Sequence, residues 1–93
     1  MQIKGLFPLG KIAATAGVLA MVPNPKYLAA CLAQHIQGKW GLIGAESAAA
    51  NDAALRDGTR LLSSYPLPND PGEFWVTTEG DRSLTTCLLP SEY

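Results

Sequence analysis

A segment near the C-terminus of this 93-residue chain constrains the fold most, because it predicts a β-hairpin. Two runs, Phe74–Glu79 and Leu84–Leu89, are rich in the β-branched and aromatic residues that favour strands. The short polar segment Gly80–Ser83 separates the two runs and supplies the turn. The length of this turn decides which residues of the two strands face each other, and hence which side chains are buried.

The turn fixes the pairing of the two strands. With a two-residue loop between Gly80 and Ser83, Thr78 lies opposite Thr85, and the pairs that follow are set. Because side chains alternate along a strand, each face of the hairpin carries every second residue. The drier face, which we expect to contact helices, carries Phe74, Val76, Thr78, Thr85, Cys87 and Leu89. The other face carries Trp75, Thr77, Glu79, Leu84, Thr86 and Leu88. A slip of one residue would exchange the two faces.

The first two thirds of the chain predict three helices. Thr15 is a suitable N-cap for a short helix from Ala16 to about Val22. Asn24 followed by Pro25 starts a second helix that ends near Gly38, because proline loses no hydrogen bond at the first helical position. A third, alanine-rich helix is predicted from about Ala45 to Asp57.

The remaining segments complete an α+β domain. Thr59–Tyr65 predicts a further strand, and the proline-rich residues 66–72 predict a wide loop before the hairpin. Residues 1–10 are interpreted as a loose arm that leads into a short strand at Lys11–Ala14. We therefore expect a single domain, residues 1–93, with two or three short helices packed on one face of a three- or four-stranded antiparallel sheet that ends in a C-terminal meander.

Composition excludes several classes of function. Lys and Arg number 7, and Asp and Glu number 8, so the chain lacks the basic excess of a typical nucleic-acid-binding domain. Hydrophobic residues make up 47% of the chain and favour a packed globule over disorder. One histidine and two cysteines lack the spacing of metal ligands, and we expect no metal and no cofactor.

The cysteines favour a reducing compartment. Two are too few for a disulfide scaffold, and Cys31 and Cys87 lie among apolar neighbours, as reduced core cysteines do. We therefore expect a cytoplasmic protein without membrane association. A lipoprotein is the alternative, since Leu28–Cys31 resembles a lipid-attachment box, but Pro23–Lys26 interrupts the apolar run that a signal peptide needs. The longest apolar stretch, Ile12–Val22, is too short to span a bilayer.

Four short motifs in the chain can be compared with those of known families. They are His35-x-x-Gly38-x-Trp40-Gly41, Asn51-x-Ala53-Ala54-Leu55, Arg60-Leu61-Leu62-Ser63-x-Tyr65 and the C-terminal Trp75-Val76-x-Thr78-Glu79-x-Asp81-Arg82-Ser83-x-Thr85-Thr86-x-Leu88-Leu89-Pro90-x-Glu92-Tyr93. With them the chain resembles a small family of uncharacterised bacterial proteins encoded on plasmids and other mobile elements, often labelled only "plasmid-related". Lys39 stands where an aspartate is more usual in that family. The resemblance implies a mobile-element origin and no particular biochemistry.

One hypothesis for function is a small ribonuclease. Helices packed on a short antiparallel sheet are similar to the compact ribonuclease folds of the barnase and RelE type. On this hypothesis His35 transfers the proton, Arg60 or Arg82 stabilises the charge on the phosphate, and Thr86 lies on the open side of the sheet. A lone histidine beside an apolar helical stripe is more often packed than catalytic, and a near-neutral chain has no field that would hold RNA.

The hypothesis we favour is a non-enzymatic protein-interaction module. On the face turned away from the helices, an apolar patch bordered by polar residues is typical of a partner or homodimer surface, and it comprises Trp75, Thr77, Leu84, Thr86 and Leu88. The alternative is that the N-terminal arm or the loop from Pro66 to Glu73 covers Trp75. Together with the resemblance, the patch suggests a protein of mobile-element origin that binds and inhibits a host defence component.

Overall fold

Helices precede a C-terminal group of strands in the computed structural model, which describes residues 5–93, as the sequence predicts. The α+β class is confirmed. The first four residues of the predicted arm lie outside the described residues. The elements are β1 (Lys11–Ala14), α1 (Ala16–Met21), α2 (Pro25–Ile36), α3 (Ala45–Asp57), β2 (Leu61–Pro66), β3 (Glu73–Thr78), β4 (Leu84–Leu88) and a 3-10 helix (Pro90–Glu92). None of the described helices is long and apolar enough to cross a bilayer.

The sheet is mixed, which corrects the prediction of a purely antiparallel sheet. Its strand order is β1-β4-β3-β2, and the predicted antiparallel meander of β2, β3 and β4 is present. β1 instead lies parallel to β4, with Lys11 opposite Leu84 and Ala14 opposite Cys87. Parallel neighbours need a long crossover, and the three helices between β1 and β2 provide one.

The predicted hairpin register is confirmed. Thr78 pairs with Thr85, Val76 with Cys87 and Trp75 with Leu88. The side chains predicted to face the helices are buried: Phe74, Val76, Thr78, Thr85 and Cys87 are all 0% exposed, and Leu89 is half-buried. The length of the turn therefore predicted correctly which face of the hairpin is buried.

The helix ends follow their local signals. The side chain of Thr15 accepts a hydrogen bond from the Val18 amide at 3.1 Å, and that of Asn24 accepts one from the Lys26 amide at 2.9 Å. Gly58 ends α3 with a φ of 70°, a left-handed conformation that costs glycine little, and its amide donates to the Ala54 carbonyl.

The helices supply side chains to one face of the sheet, where the buried apolar residues form two clusters. The first cluster joins α1 and α2 to the strands and comprises Val18, Val22, Cys31, Tyr65, Phe74, Val76 and Cys87. The second cluster comprises Phe7, Trp40, Ala54 and Leu61. A row of buried polar groups around His35 adjoins the second cluster, because the His35 ring packs edge-on against the rings of Phe7 and Trp40.

Candidate functional site

His35 stands at the centre of a buried chain of hydrogen bonds. Its position in α2 faces the sheet, and its side chain is 0% exposed. Its Nδ1 lies 2.5 Å from Ser63 Oγ, and its Nε2 lies 2.8 Å from Thr78 Oγ1. Thr78 Oγ1 is 2.8 Å from Thr85 Oγ1, which donates to the Leu9 carbonyl at 2.7 Å. The chain thus ties the N-terminal segment and α2 to three strands.

The hydrogen bond from Thr85 to the Leu9 carbonyl determines which groups donate and which accept in the rest of this network, including the two nitrogens of His35. Because the single hydroxyl proton of Thr85 goes to the Leu9 carbonyl, the Thr85 oxygen accepts from Thr78. Thr78 therefore accepts from the protonated Nε2 of His35, and Nδ1 accepts from Ser63. Burial, with a smaller contribution from the nearby Arg82 charge, lowers the pKa of His35 from 6.5 to about 4. The imidazole is neutral, fully bonded and closed to solvent.

Arg82 stabilises the hairpin turn and the end of α3. It is the non-glycine residue with positive φ among the described residues, at 61°. Its guanidinium donates to the Thr59 carbonyl at 2.6 Å and to the Ala54 carbonyl at 2.9 Å, and it lies 5.6 Å from the centre of the Phe7 ring. A cation is favourable beside the carbonyls at the end of a helix. These contacts hold Arg82 on the helical side of the sheet.

The other two residues of the ribonuclease hypothesis lie elsewhere. Arg60 pairs with Glu79 at 3.2 Å and donates to the Tyr93 hydroxyl at 2.9 Å. Thr86 is half-buried on the helix-free face of the sheet, and together with Arg60 and Glu79 it lines a cavity of about 280 Å³. The structure therefore places His35 with Arg82 and Arg60 with Thr86, on opposite sides of the sheet.

The five residues of the predicted binding surface share the helix-free face, but two of them are already covered. Thr77 and Leu88 are each 7% exposed, whereas Trp75, Leu84 and Thr86 are half-buried. The exposed part of the predicted patch is therefore smaller than the sequence pattern implied, and it comprises Trp75, Leu84 and Thr86.

Part of this face is covered by the C-terminal segment, which the sequence did not indicate. The arm from Gly5 to Gly10 lies on the helical side, where Phe7 joins the second cluster. The 3-10 helix instead contacts β3, and the Tyr93 ring meets the Trp75 ring edge-on with centroids 5.3 Å apart. Glu92 holds this segment by accepting from the Leu89 amide and the Thr15 hydroxyl, both at 2.7 Å. Proline followed two residues later by an acid is the signal that could have predicted this short helix.

Next to the covered region, Trp75 lines an open groove of about 330 Å³, which we term the Trp75 groove. Its apolar wall also includes Leu62 of β2 and Leu42, which is 57% exposed in the connector before α3. At its polar end Ser64 donates to the Glu73 carboxylate at 2.5 Å. The sequence pattern did not indicate Leu42 or Tyr93, because both approach Trp75 from segments outside the strands and helices. Glu73 lies two residues before Trp75 on the same face of β3, where the alternation of a strand places it.

Comparison of the chain with protein-family models, curated proteins and solved structures finds no match in any of the three. Within residues 5–93, no group of three His, Cys, Asp or Glu side chains is placed to hold a metal ion.

Proposed function

We propose that this chain is a non-enzymatic protein-interaction module whose binding surface is the Trp75 groove and its border. The observation that carries the proposal is that two exposed side chains from separate segments, Leu42 and Tyr93, lie on either side of Trp75. Leu42 shares the groove with Trp75, and Tyr93 contacts the other side of Trp75. Leu42 and Tyr93 are 57% and 61% exposed, so each holds apolar surface in water that a partner could bury.

The partner we propose is a protein that inserts an apolar side chain between Leu42 and Trp75. Aromatic anchors in a half-buried setting are the residues that most often dominate binding energy in interfaces. The Glu73 carboxylate at the polar end of the groove favours a donor or cation beside that apolar side chain.

The wider context of the proposal rests on the sequence. The resemblance of the four motifs to plasmid-related proteins supports a mobile-element origin, and we propose a host defence component as the protein that is bound and inhibited. Cys31 and Cys87 are free and buried in the same cluster, which supports the cytoplasm as the compartment.

The ribonuclease hypothesis has less support. A general base must come within hydrogen-bond reach of its substrate, and both nitrogens of the buried His35 are occupied by Ser63 and Thr78. Arg82 is bound to backbone carbonyls, and Arg60 lies across the sheet from His35.

Affinity capture from the native host, followed by calorimetry with the purified partner, tests the proposal. We expect Trp75→Asp and Leu42→Asp each to weaken binding at least about tenfold, because each puts a charge into a desolvated apolar contact. The matched control is Leu19→Asp, since Leu19 is also exposed, at 55%, but lies on α1. Circular dichroism should show the same fold in all three variants.

Two results would contradict the proposal. One is a partner that binds the Trp75→Asp and Leu42→Asp variants as tightly as the wild type. The other is catalysis: if the purified wild type cleaves labelled RNA to 2',3'-cyclic phosphate ends, the protein is a nuclease.

A further inference from the structure

The two borders of the sheet differ in whether their backbone groups have partners. On the outer edge of β2, the Asn51 side chain donates to the Leu62 carbonyl at 2.7 Å and accepts from the Leu62 amide at 3.1 Å. Farther along, the Ser64 amide donates to the Trp40 carbonyl at 3.1 Å, and the Ser64 carbonyl accepts from the Leu42 amide at 2.8 Å. This edge is sealed against another strand.

No described residue pairs with the outer edge of β1. The amides of Lys11 and Thr15 donate to β4, to the carbonyls of Ser83 and Cys87, each at 3.0 Å. Because alternate residues of a strand face the same neighbour, Ala13 also faces β4, whereas Ile12 and Ala14 direct their amides and carbonyls outward. Within residues 5–93 these four outward groups have no hydrogen-bond partner, and the Ile12 side chain is 55% exposed.

We propose that a second copy of this chain pairs antiparallel with β1 about a two-fold axis at Ala13. In this register Ile12 of one copy faces Ala14 of the other, so the two residues exchange both of their hydrogen bonds. The symmetry repeats the exchange on the other side of the axis, and every outward amide and carbonyl of Ile12 and Ala14 gains a partner. The two four-stranded sheets then form one continuous sheet.

Charge placement favours a second copy over an arbitrary peptide. The same register puts Lys11 of one copy opposite Thr15 of the other. Thr15 is hydrogen bonded to the Glu92 carboxylate at 2.7 Å, so the Lys11 ammonium meets an acid, and the symmetry makes this ion pair twice. The two Lys11 residues are four positions apart along the strand direction, about 13 Å, and do not repel each other strongly. The edge is therefore complementary to itself in both hydrogen bonding and charge.

Strand addition at β1 leaves the Trp75 groove free, because the groove lies beside β2 at the opposite border of the sheet. A failure to dimerise would therefore not count against the proposed partner-binding function, and a failure to bind a partner would not count against the dimer. A pairing of two short strands buries less area than a standard interface, so we expect a weak dimer.

Sedimentation equilibrium from about 10 µM to about 1 mM protein should show a monomer–dimer equilibrium in the wild type. Ile12→Pro removes an outward amide while keeping the bonds to β4, which an edge strand tolerates, and we expect it to be a folded monomer. Ile12→Thr keeps the amide and should keep the dimer. Lys11→Glu should weaken the dimer at least about tenfold, whereas Lys11→Arg should preserve it.

Oxidative cross-linking tests the register directly. Ala13 meets its own copy across a non-hydrogen-bonded pair, where the Cα atoms are about 4.5 Å apart and a disulfide is allowed. Ala13→Cys should give covalent dimers, and Lys11→Cys, whose copies are about 13 Å apart, should not. The native thiols are buried and do not compete. A wild type that stays monomeric throughout, an Ile12→Pro variant that still dimerises, or equal cross-linking of both cysteine variants would overturn the proposal.

Discussion

At the scale of single residues, buried polar side chains link α2 to the sheet at core positions that apolar residues usually occupy. His35, Ser63, Thr78 and Thr85 are each 0% exposed, and each has a hydrogen-bond partner. The sequence placed His35 on an apolar helical stripe and Thr78 and Thr85 on the buried face. It could not supply their mutual bonding, since that depends on the packing of α2 over the sheet.

The neutral His35 makes stability depend on pH. Its pKa is about 4 in the folded protein and near 6.5 when unfolded, so between these values the unfolded chain binds more protons. The free energy of unfolding therefore falls as the pH falls, by about 2 kcal/mol between pH 7 and pH 5 from this group. Urea titrations at several pH values between 7 and 5 measure this change in the free energy of unfolding.

His35→Gln is the matched variant for this effect. It lowers stability at every pH because it breaks the hydrogen-bond chain, but it should flatten the dependence between pH 7 and pH 5. An unchanged slope in the variant would assign the pH dependence to another group.

At the scale of elements, the structure shows which signals are local. The hairpin, the caps of α1 and α2 and the glycine after α3 were predicted from a few adjacent residues, and the structure confirms them. The prediction of an antiparallel sheet was wrong for β1, which pairs parallel with β4, and the C-terminal cover of Trp75 was not predicted. The pairing of β1 with β4, and the hydrogen bond from Thr15 to Glu92 that anchors the cover, both join residues more than seventy positions apart.

Asn51 docks α3 on the edge of β2, in addition to the apolar packing of Ala48, Ala54 and Leu55. Asn51 is 5% exposed and satisfies both backbone groups of Leu62, whereas six of the thirteen residues of the helix are alanine. Asn51→Ala should lower the free energy of unfolding by about 2 kcal/mol, because it leaves two edge groups without their partner. Chemical denaturation measures the change. Ala50→Gln, at an exposed position of the same helix, is the control and should alter stability by less than about 0.5 kcal/mol. Equal effects in the two variants would show that Asn51 does not hold the helix.

At the scale of the whole molecule, the two thiols report on how often the core opens. Cys31 is 4% exposed and Cys87 is 0% exposed, and burial raises the pKa of both, that of Cys87 to about 11. At pH 8 both are protonated and shielded. We expect Ellman's reagent to react at least about a hundredfold more slowly with the folded protein than with the unfolded chain.

Single variants separate the two thiols. Cys87→Val leaves Cys31 as the reporter in α2, and Cys31→Ala leaves Cys87 as the reporter in β4. Similar slow rates would show that helix and sheet open together. A fast rate for one thiol alone would show that its element opens independently.

The sealed edge of β2 also limits what strand addition can build. A filament built by strand addition needs two unpaired sheet edges on each molecule. Within the described residues, only the edge formed by β1 has backbone groups free to pair with a neighbour. Once two copies have joined there, both outer borders of the shared sheet are sealed ones, and polymerisation by this route has no place to continue.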